Sequence, residues 1–285
     1  MQKEFAIKEK WIDVNGYNIH YFVVGKGKPL VCLHGTGQAS AWITFKNVLK
    51  EFPGNFQVIA LDWPGYGKSS QIYIPHTVEF FIKILETFVK KLDLEKFSLV
   101  GHSMGGAITI GFTLKFPEKV EKLVLVDSYG LGNKLNRHLL MALGLKLPMA
   151  YDVGWHLMSK NNFVSKSLIR ASLVNKEAAT DEYVKEIQEA MKDNKLRDAC
   201  KLWAKEEIRL HGTTTNYSGQ LSKLKLPIFF LHGRKDRLFP VKWSQNAHQN
   251  LPNSKIKVFE NTGHITLTDR PSEANHLILN FLLDK

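Results

Sequence analysis

A serine between closely spaced glycines is the feature of this sequence with the clearest chemical potential. Ser103 lies in the run Gly101-His102-Ser103-Met104-Gly105, which follows a short apolar segment and precedes a helical one. A serine at a sharp strand-to-helix turn has strained backbone angles, and the two glycines remove side chains that would clash there. The spacing predicts a nucleophile held above the carboxyl edge of a sheet. The alternative is a glycine-rich structural turn in which the serine is incidental.

A serine hydroxyl needs a base to become a good nucleophile, and the chain offers eleven histidines. His264 follows the last predicted strand and precedes the last predicted helix. Its loop opens at the same carboxyl edge of the sheet as Ser103, so His264 is the predicted base. His232 lies at the end of the preceding strand, where it is predicted to brace a turn.

The base in turn needs a carboxylate to orient it, and two aspartates qualify. Asp236 lies just beyond the predicted strand at residues 228–231, and the strand leading to His264 is the next one along the chain. Strands joined by one helix are usually neighbours in a sheet, which places Asp236 near His264. Asp127, after an earlier strand, is the rival acid and would otherwise cap a turn. We predict the set Ser103, Asp236 and His264, in the chain order expected for a serine on such a turn.

Acyl transfer also creates an oxyanion, which needs two N–H donors already in place. Met104, at the start of the predicted helix, supplies one backbone N–H. The second is assigned to Thr36, which follows His34 and Gly35 at the end of an early strand. Gly37 is the less favoured choice for this donor, and His34 is predicted to be structural.

The elements that position these residues alternate along the chain. Apolar runs predict strands at residues 11–14, 17–24, 30–33, 56–61, 97–100 and 123–126, with helices between the later ones. This alternation indicates crossover connections and a mostly parallel α/β sheet covered on both faces. The pattern is helical across residues 131–220, and strands return at residues 228–231 and 255–259. We therefore predict a core from residues 1–130 and 221–285, with a helical cap at 131–220.

These segments resemble the α/β-hydrolase superfamily, in the large group with an inserted helical cap. The motifs that carry the resemblance fall in the family's order: HGTG, DWPGYGKS, GHSMGG, LHGRKDRLFP and NTGHI. They say little about residues 131–220. The resemblance implies an α/β-hydrolase fold with an eight-stranded, mostly parallel sheet, an antiparallel second strand and a cap inserted after the sixth strand. It also implies a catalytic set that needs no metal or organic cofactor.

Single positions separate the relatives that share this scaffold. Dehalogenases and epoxide hydrolases of the family carry an aspartate at the turn, whereas this chain has Ser103. Proline-specific aminopeptidases of the family carry an HGGPG motif followed by GxSWG, and this pattern is absent from the present sequence. Ring-cleavage C–C hydrolases have an asparagine before the nucleophile and usually a tryptophan after the histidine, where this chain has His102 and Ile265.

The resemblance implies a serine hydrolase that cleaves a small to medium, largely apolar carboxylic ester through an acyl-enzyme intermediate. C–C bonds, lactones, thioesters and amides are the alternative substrates for the same residues. A small-molecule sensor that uses the closed pocket for binding is the alternative of a different class, and turnover separates the two. Apolar bulk in the cap suits a pocket, although packing explains most of it: Met141, Leu145, Met149, Tyr151, Trp155, Met158, Phe163 and Trp203.

Composition and charge indicate which classes of partner and which cellular compartment to expect. The net charge of +12 comes from 39 basic and 27 acidic residues, but it forms no basic block or tail. This pattern predicts a generally basic surface, no nucleic-acid partner and no stable membrane association, and it leaves the oligomeric state open. Cys32 and Cys200 form neither a disulfide framework nor a metal cluster. Because the N-terminus has no signal-peptide pattern, we expect a cytoplasmic protein.

Overall fold

An eight-stranded sheet forms the centre of the protein. The computed structural model describes residues 5–37, 40–147 and 149–284. The strands are β1 (Lys8–Val14), β2 (Tyr17–Val24), β3 (Lys28–Leu33), β4 (Phe56–Leu61), β5 (Phe97–His102), β6 (Val120–Val126), β7 (Ile208–Arg209), β8 (Gly212–Thr213), β9 (Ile228–Gly233) and β10 (Ser254–Phe259). The sheet order is β1-β2-β4-β3-β5-β6-β9-β10, in which β2 is antiparallel to both neighbours and the other pairs are parallel. The predicted fold class is confirmed.

A hairpin of β1 and β2 forms one edge of the sheet. Asn15 and Gly16 turn the chain with φ angles of 55° and 83°. A two-residue hairpin requires such left-handed values, which asparagine and glycine tolerate. The pairing places Val14 opposite Tyr17, as the Asn-Gly dipeptide predicts.

Helices pack on both faces of the sheet. The described residues form α1 (Ala41–Glu51), α2 (Val78–Lys91), α3 (Met104–Lys115), α4 (His138–Lys146), α5 (Ala150–Lys160), α6 (Asn162–Ser172), α7 (Asp181–Met191), α8 (Asn194–Glu207), α9 (Lys242–Gln249), α10 (Thr266–Asp269) and α11 (Pro271–Leu282). Strand β3 shows why both faces need cover. Val31 and Leu33 pack in the apolar cluster that includes α2 and α3, whereas Leu30 and Cys32 pack in the cluster that includes α1 and α11. Such a strand has a continuous apolar sequence, as parallel sheets require.

The segment between β6 and β9 holds helices α4 to α8 and the short antiparallel pair β7–β8. We call α4 to α8 the cap helices. The sequence analysis predicted helices here but missed the hairpin, whose strands have only two residues each. A backbone bond from Thr213 N–H to the carbonyl of Asn133 joins the end of this segment to its start. The exact division into core and cap residues stays a prediction.

The strands next to the site are longer than predicted. Strand β5 runs to His102 and β9 to Gly233, so the loops that follow begin directly at the sheet edge. Because parallel strands present their carboxyl ends at one edge, the loops after β3, β5, β6, β9 and β10 meet there. Across the described residues, no helix combines the length and apolar character needed to cross a bilayer.

Candidate active site

Ser103 occupies the turn between β5 and α3 with a φ of 55° and a ψ of −119°. Residues other than glycine rarely adopt such backbone angles, so the surrounding structure must hold Ser103 in this conformation. The Ser103 N–H donates to the carbonyl of Val126 at 3.0 Å. The Ser103 carbonyl accepts from the N–H groups of Gly106 and Tyr129. These bonds fix the strained residue against β6 and the loop after it.

The two glycines beside Ser103 allow the start of α3 to lie directly on the end of β3. A Cβ atom on Gly105 would be 2.0 Å from the carbonyl oxygen of Leu33, and one on Gly101 would be 2.5 Å from that of Gly105. Both distances are far below a normal contact. The packing therefore matches the reason given for these glycines from the sequence.

The predicted base, His264, and the predicted acid, Asp236, form a hydrogen-bonded series with Ser103. His264 Nε2 lies 3.0 Å from Ser103 Oγ, and His264 Nδ1 lies 2.8 Å from Asp236 Oδ2. Since an ionised carboxylate only accepts, we assign the imidazole proton to Nδ1, which donates to Asp236. Nε2 is then left to accept the hydroxyl proton of Ser103. The structure brings the three predicted residues together in the geometry that general-base activation needs.

Charge and burial set the proton affinities of His264 and Asp236. Burial alone would lower the pKa of His264, but the Asp236 anion and its hydrogen bond outweigh burial and raise that pKa above the usual 6.5. Burial also opposes ionisation of Asp236. Its interactions with His264 and His232 nevertheless hold the pKa of the Asp236 carboxyl well below its usual range. Asp236 is thus an anion able to stabilise a positively charged imidazole.

Backbone and side-chain donors hold the Asp236 carboxylate in place. Asp236 Oδ1 accepts from the N–H groups of Leu238 and Phe239 at 2.7 and 3.0 Å. His232 Nε2 lies 3.2 Å from Asp236 Oδ2, and His232 Nδ1 lies 2.8 Å from Ser244 Oγ. His232 therefore braces the turn, as predicted, and does so on the acid itself.

The rival acid, Asp127, faces other donors. Asp127 Oδ1 accepts from the N–H of Gly233 and the hydroxyl of Thr266, and Oδ2 accepts from the N–H of Thr266. Burial raises the pKa of Asp127 to about 6. Because Gly233 and Thr266 flank the loops of Asp236 and His264, Asp127 joins those two loops.

Three of these side chains are also close enough to be considered as metal ligands. One ligand atom each from Asp127, His232 and Asp236 lies within 4.8 Å of the others. However, N–H groups donate to both carboxylates, and donors aimed at the ligand atoms suit hydrogen bonding rather than a cation. Among the described residues, this cluster fits a structural role.

The loop after β3 passes directly beside Ser103. A Cβ atom on Gly35 would lie 2.6 Å from Ser103 Cβ, so a glycine is required for this approach. Thr36 lines the same cavity as Ser103. Met104 is the first residue of α3, where a backbone N–H has no acceptor within the helix. Thr36 and Met104 remain the predicted oxyanion donors.

His34 has a structural position, as predicted. Its ring is fully buried, with Nδ1 2.7 Å from the carbonyl of Gly35 and Nε2 3.2 Å from the N–H of Trp63. The ring therefore donates to the loop after β3 and accepts from the loop after β4. It joins two loops of the site without facing the serine.

Two side chains that the sequence analysis did not single out hold Thr36. Thr36 Oγ1 lies 2.8 Å from the Tyr66 hydroxyl and donates to Cys200 Sγ at 3.3 Å. The Cys200 thiol donates back to the carbonyl of Thr36 at 3.4 Å. Burial raises the pKa of Cys200 to about 11, so it is a neutral thiol near pH 7. Since Cys200 belongs to α8, a cap helix holds Thr36 in the loop after β3.

A cavity of about 530 Å³ opens onto Ser103 and His264. Strand-end loops and cap helices form its walls, and most of the lining is apolar, including Leu135, Met141, Met158, Ile169, Ile187, Trp203 and Phe239. Met141, Met158 and Trp203 belong to the apolar set predicted in the cap, whereas Met149 and Phe163 of that set are exposed. Lys235 and Arg237 add positive charge to the lining.

A larger cleft, of about 850 Å³, lies along the other side of α7. Glu182 and Glu186 of this helix line the larger cleft, while Tyr183 and Ile187 line the cavity over Ser103. The larger cleft contains none of the three predicted catalytic residues. The smaller, more apolar cavity is therefore the candidate active site.

His102 forms part of the cavity lining beside the serine. Its Nε2 lies 2.9 Å from the carbonyl of His264, to which it donates. Its buried Nδ1 has no hydrogen-bond partner among the described residues. Burial, followed by the nearby His264, lowers the pKa of His102 to about 3, so this nitrogen is an acceptor.

A strained serine at a strand-to-helix turn, joined to a histidine and an aspartate at the edge of a mostly parallel sheet, defines an α/β hydrolase. The chain belongs to this family: a family model for the alpha/beta hydrolase fold matches residues 28–271.

Comparison with known proteins places the chain among related hydrolases. It is 30% identical over 270 residues to a 2-hydroxy-6-oxononadienedioate/2-hydroxy-6-oxononatrienedioate hydrolase of Paraburkholderia phymatum, covering 93% of this chain and 90% of that protein. It is 28% identical over 283 residues to the hydrolase of the same name from Comamonas testosteroni, covering 98% and 96%. A meta-cleavage product hydrolase from Pseudomonas fluorescens superposes with a TM-score of 0.81 at 21% identity, covering 96% of this chain and 97% of that one.

Proposed function

We propose that the protein is a serine hydrolase that cleaves a small to medium, largely apolar carboxylic ester through an acyl-enzyme on Ser103. The observation that carries this proposal is the continuous hydrogen-bonded series Ser103–His264–Asp236 at the wall of an apolar cavity. The strained turn presents the Ser103 hydroxyl, and the orientation of His264 leaves Nε2 ready to take its proton. Asp236, Thr36 and Met104 supply the remaining functions that acyl transfer requires.

In the acylation step, Ser103 Oγ forms a bond to the ester carbonyl carbon while its proton moves to His264 Nε2. The carbonyl electron pair moves onto oxygen, and the N–H groups of Thr36 and Met104 stabilise that negative charge. The intermediate then collapses, which breaks the bond to the alcohol oxygen. His264 returns its proton to the leaving alcohol, and the acyl group remains on Ser103.

In the deacylation step, a water molecule takes the place of the alcohol. His264 Nε2 removes a proton from this water as its oxygen attacks the acyl carbon. Ser103 Oγ leaves with the electron pair of the ester bond and recovers its proton from His264. Asp236 stays ionised throughout and stabilises the positively charged imidazole of each step.

The cavity supports an apolar acyl group of limited size. Its volume of about 530 Å³ lies within the range for small-ligand pockets. Cap residues such as Met141, Met158 and Trp203 supply an apolar wall. An acyl chain or a ring contacts such walls favourably, while a large polar acyl group leaves its hydrogen bonds unmade.

A phosphonate label combined with an ester panel tests this proposal. A p-nitrophenyl phosphonate is expected to modify the protein once, at Ser103, and to abolish hydrolysis of p-nitrophenyl esters. In a series from acetate to palmitate, kcat/KM is expected to peak at short to medium acyl chains, because longer chains exceed the cavity. Labelling at another residue, or no turnover of any ester in the series, would overturn it.

A second candidate function is hydrolysis of a C–C bond next to a carbonyl. Two relatives carry the names of hydrolases of 2-hydroxy-6-oxo acids, and Lys235 and Arg237 in the cavity lining suit an acidic substrate. Against this candidate, this chain has His102 before the serine and Ile265 after the histidine, where ring-cleavage C–C hydrolases have an asparagine and usually a tryptophan. Loss of the visible absorbance of a 2-hydroxy-6-oxo dienoate, measured beside p-nitrophenyl butyrate, discriminates the two. A higher kcat/KM for the dienoate would favour C–C hydrolysis.

A further inference from the structure

Exposed apolar side chains are concentrated on three of the cap helices. Among the described residues, nine of the thirteen large apolar side chains that are exposed lie between residues 139 and 168. We call these nine residues the apolar cap face: Leu139, Leu140, Leu143, Leu147, Met149, Val153, Leu157, Phe163 and Leu168. Scattered exposed apolar residues are ordinary, whereas a concentration of this kind marks an interaction surface.

The spacing of these residues gives α4 and α5 a defined outer side. On α4, Leu139 and Leu143 are four residues apart, and so are Val153 and Leu157 on α5, so each pair shares one helix face. Helix α5 packs against both α4 and α6, so the three helices that carry these residues are neighbours in space. His138 and Ala142 of α4 are buried, so another side of this helix packs inward. Helices α4 and α5 thus each have an exposed side with apolar residues that the described part of the protein does not cover.

The same part of the chain is strongly basic. Residues 131–170 contain six basic residues and one acidic residue, a net charge of +5, whereas residues 171–220 contain eight basic and nine acidic residues, a net charge of −1. The single acid, Asp152, is paired with Lys201 and Arg197.

Four cations beside the apolar cap face have no carboxylate partner. Lys166 and Arg170 both pair with Asp181. The remaining four are exposed, and the described part of the chain places no carboxylate within 4 Å of them: Lys134, Arg137, Lys146 and Lys160. An apolar helix surface bordered by unpaired cations is the composition of a segment that lies in a membrane interface.

We propose that the apolar cap face docks reversibly on an anionic lipid membrane. The apolar side chains enter the boundary of the acyl chains, and the four unpaired cations contact negatively charged headgroups. A second copy of the chain fits this surface less well, because a symmetric contact would bring the like charges of both copies together. This docking is peripheral and salt-dependent, which differs from the stable membrane association that the charge pattern argues against.

The apolar cap face reaches the cavity over Ser103, so docking on a membrane affects how substrates enter that cavity. Leu168 belongs to the apolar cap face and also lines the cavity over Ser103. Its side chain is about half exposed, at 48%, so the apolar surface continues into the cavity. If the proposed ester hydrolysis is correct, apolar esters dissolved in the membrane reach Ser103 from this side.

Vesicle sedimentation with full-length Ser103→Ala protein tests the docking independently of any hydrolysis. Vesicles of phosphatidylcholine with phosphatidylglycerol are expected to bind the protein, and vesicles of phosphatidylcholine alone are expected to bind it more weakly. The double variant Leu140→Ser/Phe163→Ser removes two exposed members of the apolar cap face. Its matched control is Tyr73→Ser/Ile74→Ser, since these two residues are exposed but lie on the core.

The apolar double variant is expected to lose binding at least ten-fold, while the control binds like the parent. Lys146→Gln/Lys160→Gln is expected to weaken binding to the anionic vesicles by about 30-fold, from the usual contribution of a basic residue near such a surface. Absence of sedimentation with anionic vesicles at low salt would overturn the proposal. So would equal binding by the apolar variant and its control. A dimer that forms without lipid and is dissociated by Leu140→Ser/Phe163→Ser would instead assign this face to a second copy.

Discussion

His264 depends on Asp236 for its tautomer as well as for its charge. The 2.8 Å contact between His264 Nδ1 and Asp236 Oδ2 places the proton on Nδ1, so Nε2 faces Ser103 as an acceptor. An amide in place of the carboxylate can present its own N–H to Nδ1. The imidazole proton then moves to Nε2, and a protonated Nε2 cannot accept the hydroxyl proton of Ser103.

Asp236→Asn is therefore expected to lower kcat for p-nitrophenyl butyrate by about 10⁴, the scale of the equivalent change in serine proteases. The folded state should persist, as judged by circular dichroism. Asp127→Asn is the matched control, because its carboxylate bonds to Gly233 and Thr266 and not to His264. It should cost less than ten-fold in kcat and destabilise the fold by about 1–3 kcal/mol. The reverse ranking in kcat would make Asp127 the orienting acid.

The pH dependence of kcat/KM reports the same interaction. His264 accepts the serine proton only when it is neutral, and its pKa is raised above 6.5 by Asp236. Activity should therefore be low in acid and rise with pH, with a midpoint above 6.5. The rate of p-nitrophenyl butyrate hydrolysis between pH 5 and 9 gives this midpoint. A profile that is flat or falls across this range would exclude His264 as the base.

At the residue scale, the sequence predicts the groups whose chemistry forces a local pattern. Ser103 requires glycines at fixed spacing, and His264 and Asp236 require loops at one sheet edge. Cys200 has no such pattern, because its bond to Thr36 spans 164 residues and depends on how α8 packs. The sequence also could not predict that His102 Nδ1 lacks a hydrogen-bond partner among the described residues, because this depends on which groups surround the ring in the fold.

At the scale of elements, α8 connects the cap to two loops of the site. Lys195 Nζ donates to the carbonyls of Gly67 and Ser69 in the loop after β4. Five residues later, Cys200 forms hydrogen bonds with Thr36 in the loop after β3. Helix α8 thus links the loop predicted to stabilise the oxyanion with the neighbouring scaffold loop.

Cys200→Ala is expected to lower kcat by about three- to ten-fold with little change in KM, because the Thr36 N–H acts on the oxyanion that exists only in the transition state. Cys200→Ser keeps a donor at this position and should retain most of the activity. The comparison uses steady-state kinetics with p-nitrophenyl butyrate for both variants. An unchanged kcat in Cys200→Ala, or equal losses in both variants, would exclude this positioning role.

The sequence predicts the core elements well because each carries a local signal. The Asn15-Gly16 turn and the apolar run of β3 are examples. The pair β7–β8 was missed because strands of two residues leave no periodic pattern. The apolar cap face was missed for a different reason: an apolar residue on a helix looks the same in sequence whether the protein covers it or not.

At the scale of the whole molecule, the cap shares one apolar cluster with the core. Ile169, Ile187 and Trp203 of the cap helices belong to the same buried cluster as Leu33 and Met104 beside the site. A cap held mainly by polar contacts would instead have its own separate core. The continuous cluster indicates that the cap and the core are stable together.

We therefore expect thermal unfolding of the protein as a single cooperative transition. Calorimetry should give a calorimetric enthalpy equal to the van't Hoff enthalpy. Tryptophan fluorescence, which includes Trp203 in the cap, should change at the same temperature as far-UV circular dichroism. Two resolved transitions would show that the cap unfolds separately from the sheet.

Ser103 is the proposed nucleophile, and removal of its hydroxyl is the sharpest test of this role. The measurement is kcat for p-nitrophenyl butyrate in Ser103→Ala, with Ser98→Ala as the matched control, since Ser98 is a buried serine of β5, the strand that leads to Ser103, and lies outside the site. We expect a loss on the order of 10⁴–10⁶ in Ser103→Ala and near-normal turnover in Ser98→Ala. Undiminished turnover in Ser103→Ala, or a wild-type protein that binds the ester without turning it over, would contradict this role.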